Sequence, residues 1–293
     1  MRHIRIGSRG SDLALWQANH IKNQLIPLGC TVEIIVITTK GDAIQDLSFD
    51  KLEGKGFFTK EIEHALLNNE IDLAVHSHKD LETEQPEGLV IAAVSEREDP
   101  SDVLLIRREK VDKTQLLELT KGAVVGTSSA RRKSQIRSFR PDISIKDLRG
   151  NVPTRIQKLR HEDYDAIMLA KAGVDRLQIN LSEFHVHVLD PCEFIPAPAQ
   201  GVLALQIRKE DAYLLHILLS LNHSDVQKRI TLERRVLNLL KGGCQLPLGV
   251  FCGEDGIVHV SHCNNWEEGA SHYTYWSDDL DSLPSQIVEE LIS

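Results

Sequence analysis

The sequence predicts an α/β chain built as two lobes, followed by a smaller α+β domain. Three observations predict it. Short, β-branched apolar runs alternate with helical patterns, the strand-to-helix junction at residues 6–11 is echoed at 125–131, and the alternation gives way to helix from about Asp211. A length of 293 residues suits two or three domains of about 100 residues each.

In order, Ile4–Gly7 reads as a strand feeding a helix from Ser11 to Leu25. Val32–Ile37 is a strand whose run Ile34–Ile37 is continuously apolar, as expected of a strand covered on both faces. Thr59–Asn68 is helical, and Leu73–Val75 and Leu89–Val94 are strands. A second set begins near Asp99-Pro100: strand Val124-Val125, helix Arg131–Phe139, strands Ile143–Ile145 and Ala166–Leu169, and a helix to Leu177. Pro196–Gly201 reads as a crossover into strand Val202–Ile207, returning to the first sheet. Helices from about Asp211, a strand at Ile257–Ser261 and a final helix near Ser285–Leu291 complete the chain. The expected domains are 1–95 with 196–211, then 96–195, then 212–293.

A formal net charge of −9 discourages nucleic-acid binding. No window approaches the roughly 18 apolar residues of a membrane span. Met1–Gly7 enters a strand pattern instead of an apolar leader, so a soluble cytoplasmic protein is expected. Five cysteines, odd in number and without a C-x-x-C pair, are expected to be reduced thiols.

Three stretches carry chemistry. In Gly242-Gly243-Cys244-Gln245-Leu246-Pro247, Gly242 reads as the stop of an amphipathic helix over Thr231–Lys241, so that Cys244 is presented on a loop and not packed. Val75–Asp80 ends a strand where α/β proteins place functional groups, and Asp80 is a candidate acid/base. His76 and His78 read as hydrogen-bonded histidines, since no third metal ligand is nearby. Arg9, Arg131 and Arg132 stand at strand ends and helix starts beside Ser11, Thr127, Ser128 and Ser129, and Arg149 and Arg155 bracket a turn-like segment, Arg149–Arg155. Hydroxyls, backbone N–H groups and guanidiniums at a helix N-terminus suit carboxylates, although plain N-capping is the commoner meaning of such serines. Together the arginines suggest a cleft between the lobes that holds several carboxylates.

No metal site is assigned. Cys252, His259, His262 and Cys263 fit no common zinc spacing, and Gly54-Lys55-Gly56 lacks the phosphate-loop pattern. Residues 41–57 read as a mobile loop or lid.

From Ile6 to Gly249 the chain resembles the porphobilinogen deaminases. The marks are Gly7–Ser11, Gly54–Phe58, Val75–Asp80, Glu96–Pro100, Val125–Arg132, Leu148–Arg155, Glu233-Arg234 and Gly242–Cys244. The resemblance implies two periplasmic-binding-protein-like lobes and a third domain carrying a dipyrromethane cofactor on Cys244 through a thioether. It implies stepwise condensation of four porphobilinogens with loss of ammonia, then hydrolytic release of hydroxymethylbilane by a monomer. Asp80 would be catalytic. Ser77, Lys79, Asp80, Thr127, Ser128, Ser129, Arg131, Arg132 and Gly243 would surround the cofactor, and Arg9, Ser11, Lys55, Arg149, Arg155, Arg176 and Gln200 the substrate. Two departures from the family pattern are Ala199 where glycine is usual and Gln206 where glutamate is usual. Two other classes fit less well. A non-catalytic two-lobed binder of small carboxylate ligands would need neither Cys244 nor Asp80, and a cysteine hydrolase lacks a recognisable cysteine-histidine motif.

Overall fold

The structure is a computed structural model describing residues 2–39, 59–242 and 246–292. Its contacts form two compact units. One comprises the chain up to Glu98 with Gly201–Lys228, and the other Asp99–Gln200 with the residues from Arg229 onward.

The chain opens with β1 (Arg2–Ser8), α1 (Asp12–Leu25) and β2 (Cys30–Val36), and continues with α2 (Lys60–Leu67), β3 (Leu73–Ser77) and β4 (Leu89–Val94). The second unit runs β5 (Asp102–Arg107), β6 (Val124–Gly126), α3 (Ala130–Phe139), β7 (Ser144–Lys146), α4 (Val152–His161), β8 (Ala166–Ala170), α5 (Lys171–Leu177) and β9 (Phe184–Val188). Then β10 (Leu203–Arg208) and α6 (Ala212–Leu219) rejoin the first unit. After α7 (Ser224–Leu239) come β11 (Leu248–Cys252), β12 (Val258–His262), β13 (Ser271–Tyr275) and α8 (Leu283–Ile292).

Among the described residues the strands form three sheets, ordered β2-β1-β3-β10-β4, β7-β6-β8-β5-β9 and β11-β12-β13. In the first, β1 is parallel to β2 and β3, and β10 returns antiparallel to β3, with Leu203 opposite Ser77. In the second, β6 is parallel to β7 and β8, and β5 is antiparallel to β8 and β9. The third is wholly antiparallel. This is the expected α/β architecture with a smaller α+β part, though each larger sheet is mixed.

Period-two alternation gives each larger sheet two apolar faces, and helices cover both. Ile4, Ile6, Leu73 and Val75 pack on Ala18, Ile21 and Leu25 of α1 and on Leu214 and Leu218 of α6, while Ala74 faces Ile62 and Leu66 of α2. In the second unit, Leu104, Ile106 and Val125 pack on Ile136 of α3, whereas Leu105, Ile167 and Leu169 pack on Ile156 and Leu159 of α4. Leu232 and Val236 of α7 pack with Val250, Val260 and Ile287 in a separate core.

Two expectations change. The apolar run Ile34–Ile37 belongs to the sheet's outermost strand, so Ile34 and Ile35 are only half-buried and Val36 is 56% exposed. Strands β5, β9, β11 and β13 lie beyond the expected ones: β5 follows the boundary near Asp99-Pro100, and histidines interrupt the apolar pattern of β9.

Candidate functional site

The carboxyl ends of the parallel strands carry most of the expected residues, as open α/β sheets favour. In the first unit, β1 ends at Ser8, and the half-buried Arg9 and Ser11 follow. Ser11 N-caps α1, its Oγ accepting from the Ala14 N–H at 3.4 Å. At the end of β3, residues 78–80 make a 3₁₀ turn that leaves Asp80 exposed and Ser77 and Lys79 half-buried. Gln17 Nε2 of α1 donates to Ser77 Oγ at 2.8 Å, and the His78 N–H donates to the Val202 carbonyl at 2.9 Å. The turn is therefore fastened to both a helix and the returning segment.

His76 lies buried behind this turn, with Nε2 3.1 Å from Gln206 Oε1. Gln206 Nε2 donates to Glu63 Oε1 at 3.2 Å and Gln85 Oε1 at 2.7 Å, which leaves its own oxygen as acceptor and places the imidazole proton on Nε2. Burial drives the His76 pKa down to about 4, against a smaller upward pull from Gln206, so the ring is neutral near pH 7.

In the second unit, hydroxyls stitch the loop after β6. Ser129 N-caps α3 by accepting from the Arg132 N–H at 3.5 Å, and its own N–H donates to Thr127 Oγ1 at 3.3 Å. Ser128 Oγ donates to the Leu148 carbonyl and accepts from the Leu148 N–H, each at 3.0 Å, joining this loop to the one that carries Arg149. At the start of α4, Asn151 Oδ1 caps Thr154, and Arg155 Nε donates to the Gly150 carbonyl at 2.7 Å. Gly150 has φ +111°, and a Cβ there would lie 2.6 Å from Thr154 Cγ2, so both conformation and space require glycine. Arg149 and Arg155 are half-buried, and Arg176 is buried in the last turn of α5.

Three of the expected residues converge on one that sequence reasoning missed. Asp102, fully buried at the start of β5, accepts from Arg131 Nη1 at 2.6 Å, Arg132 Nη2 at 2.7 Å and Gln200 Nε2 at 2.9 Å. Burial opposes its ionisation, but the charges and hydrogen bonds of the two arginines outweigh that and hold the carboxyl well below the usual carboxylate range. Two guanidiniums against one carboxylate leave a net positive charge at the N-terminus of α3. Arg132 Nε, also buried, has no hydrogen-bond acceptor among the described residues. The available signal was an acidic residue opening an otherwise apolar strand in a chain with adjacent arginines.

Glu233 is the second residue whose role only the structure gives. Fully buried on α7, it accepts from the Ala199 N–H at 2.7 Å and the Cys252 N–H at 2.9 Å, fixing the turn that precedes Gln200. Beyond it, α7 ends in a Schellman motif: the Gly242 N–H donates to Leu237 O at 3.2 Å and the Lys241 N–H to Asn238 O at 2.8 Å. The left-handed residue is Lys241, with φ 51°, and not the glycine. Gly242 follows where a Cβ would stand 2.5 Å from Leu246 Cδ2. Lys55, Gly243, Cys244 and the loop at 41–57 lie outside the described residues. A depression of about 350 Å³ lined by Arg107, Arg108 and Arg160 lies at the opposite edge of the second sheet, and its guanidiniums are engaged by Leu159, Ser182 and Glu183.

Fold and site together define an α/β enzyme with cationic and hydroxyl donors and the exposed carboxylate of Asp80 at the carboxyl edges of its sheets. The family model described as porphobilinogen deaminase, dipyromethane cofactor binding domain, matches residues 4–216. The chain is 45% identical over 265 residues to porphobilinogen deaminase of Sulfurimonas denitrificans, covering 89% of this chain and 83% of that one. It is 44% identical to that of Syntrophomonas wolfei, covering 95% and 90%, and 46% identical to that of Bacillus subtilis, covering 88% and 82%. The chain belongs to the porphobilinogen deaminase family. Among solved structures, the Bordetella pertussis BvgS periplasmic VFT2 domain aligns with a TM-score of 0.46 at 14% identity, over 79% of this chain and 93% of that one. Among the described residues no helix is long and apolar enough to cross a membrane.

Proposed function

We propose that this chain is a hydroxymethylbilane synthase that condenses four porphobilinogen molecules, with Asp80 as its catalytic carboxylate and Cys244 as the anchor of its primer. The observation that carries the reading is family membership at 44–46% identity over nearly the whole chain. It disfavours the alternative of a non-catalytic carboxylate binder.

The chemistry sets the requirements. In each cycle the bond between the aminomethyl carbon and nitrogen breaks, ammonia leaves, and that carbon bonds to a pyrrole carbon, which then loses its proton. A dipyrromethane held on Cys244 supplies the first nucleophilic pyrrole carbon. Asp80 would accept hydrogen bonds from pyrrole N–H groups, pass a proton to the departing amine and stabilise the cationic carbon left behind. Its exposure at the end of a buried strand, on a turn fastened by Ser77 and His78, supports that role.

Each pyrrole brings two carboxylates, so the bound chain becomes a polyanion. The residual positive charge of the Arg131–Arg132–Asp102 group and the buried Arg132 Nε suit an acetate or propionate arm of the cofactor. Ser77, Lys79, Thr127, Ser128 and Ser129 would complete its setting, with Gly243 beside the anchor. Arg9, Ser11, Lys55, Arg149, Arg155, Arg176 and Gln200 would serve the substrate. Gln200 acts indirectly in this scheme, because its amide is committed to Asp102 and to the Pro100 carbonyl at 2.7 Å. Three domains with the boundaries expected from sequence, acting as a cytoplasmic monomer, complete the proposal.

Asp80→Asn tests it. Turnover is expected to fall at least about 100-fold, while the intact mass of the denatured protein keeps an increment of two linked pyrrole units that Cys244→Ser lacks. Normal turnover in Asp80→Asn would remove Asp80 from the chemistry. Absence of the increment from wild-type protein after incubation with porphobilinogen would remove the anchor.

A further inference from the structure

The outermost strand of the second sheet has an inverted pattern. In β9, Val186 and Val188 are 42% and 43% exposed, while His185 and His187 occupy the inner positions, directly opposite Ile106 and Leu104 of β5. Cross-strand partners share a face, so the histidines extend the apolar layer formed by Leu104, Ile106 and Leu119. Glu118, from the preceding connection, meets both rings there. Its Oε2 is in hydrogen-bond contact with His185 Nε2 and lies 3.5 Å from His187 Nδ1.

We propose that Glu118, His185 and His187 form a binding site for a divalent transition metal of the zinc class, separate from the deaminase chemistry. One ligating atom from each residue lies within 4.8 Å of the others. Metal–ligand bonds of about 2.0–2.2 Å in a tetrahedral shell place ligand atoms about 3.4 Å apart, close to the His187–Glu118 separation. The His185–Glu118 contact opens as a metal takes the place of the hydrogen between Nε2 and Oε2. Two imidazoles and one carboxylate suit Zn²⁺, Co²⁺, Ni²⁺ or Cu²⁺ better than the oxygen-seeking Mg²⁺ or Ca²⁺. The side chains are 25–27% exposed, which leaves a fourth position open to water.

The glutamate is held in place before any metal arrives. Leu117 and Glu118 are left-handed, with φ 62° and 52°, a conformation that surrounding structure must enforce. Arg140 enforces it: its guanidinium forks onto Asp142 and also donates to the carbonyls of Leu116 at 2.7 Å, Leu119 at 2.9 Å and Thr120 at 3.3 Å. Val111 bridges to Leu119, and the Asp112 N–H donates to the Glu118 carbonyl at 2.8 Å. A bound metal would clip this connection to the sheet's edge strand.

The test is equilibrium dialysis of the chelator-stripped full chain against Zn²⁺ and Co²⁺, compared with Glu118→Gln and with His185→Gln/His187→Gln. The wild type is expected to bind about one more equivalent than either variant, to develop the visible bands of tetrahedral Co²⁺ that the variants lack, and to gain a Zn²⁺-dependent rise in Tm. Single His187→Gln, which keeps the His185–Glu118 contact, is expected to weaken binding at least about tenfold. Melting curves in chelator verify that each variant folds. Equal stoichiometry and equal Zn²⁺-dependent Tm in wild type and His187→Gln would overturn the site and leave a hydrogen-bonded clasp only.

Discussion

Asp72 and Asp102 are each clasped by two arginines, at opposite edges of their respective sheets. Asp72 precedes β3 and accepts from the Arg5 backbone N–H, Nε and Nη2 at 2.9–3.0 Å and from Arg208 Nη2 at 3.0 Å. It lies at the amino end of β3, away from the turn that carries Asp80. Asp102 pairs opposite Ala170, the last residue of β8, at the carboxyl edge where α3 begins. The Asp72 side chain is 12% exposed and that of Asp102 is 0%. The same ionic motif is thus a strut at one edge and a charge-setting element beside a helix N-terminus at the other. Position on the sheet, and not the motif, separates the two.

Replacing each aspartate tests this contrast most severely. Asp102→Asn leaves two buried guanidiniums without their counter-charge and is expected to cost about 3–5 kcal/mol in urea denaturation. Turnover and cofactor retention should fall with it. Asp72→Asn is expected to cost about 2 kcal/mol, because hydrogen bonds from Arg5 and Arg208 outweigh burial and hold its pKa at about 2. Turnover per folded molecule should remain normal. Equal damage to turnover from both variants would erase the distinction between the edges.

Acid titration separates the ion pairs from the neutral network on the same strand. His76 has a folded pKa of about 4, below its unfolded value, so unfolded chain binds more protons between about pH 6.5 and pH 4. Its contribution is fully present above about 6.5 and falls by roughly 3 kcal/mol as pH drops to 4. The Asp72 contribution is present above about 3.9 and is lost only as pH falls through about 2. His76→Gln should flatten the upper window and leave the lower one. An unchanged stability–pH curve would show that the ring does not titrate as a buried neutral group.

The smallest effect probes the turn beside Asp102. Ala199 has φ 61°, an unfavourable conformation for a residue with a Cβ, two positions before Gly201 at φ +91°. Ala199→Gly removes that strain at some cost in chain entropy and is expected to stabilise by about 0.5–1 kcal/mol. Destabilisation instead would mean that the alanine methyl contributes packing exceeding the strain.

Much of this was legible locally. Leu89–Val94 was expected with the same bounds as β4, and N-capping by Ser11 and Ser129, the alternative to anion binding in the sequence, is what both serines do, because periodicity and capping depend on neighbours within a few residues. The strand end at Ser77–Asp80 was legible for the same reason. The arginines read as open to carboxylates, but nothing in their local spacing shows that Arg131 and Arg132 share a carboxylate 29 and 30 positions away. Nor could it reveal Glu118 meeting His185 across 67 residues, since the histidines looked like interruptions of an apolar strand.

The periodic elements, their caps and the ordered motifs of the family are all written in short-range spacing along the chain. Folding in three dimensions settles which charges are already neutralised, which left-handed residues are held in place and which side chains meet at a sheet edge. Those depend on strand order and register, which bring together residues from distant parts of the chain.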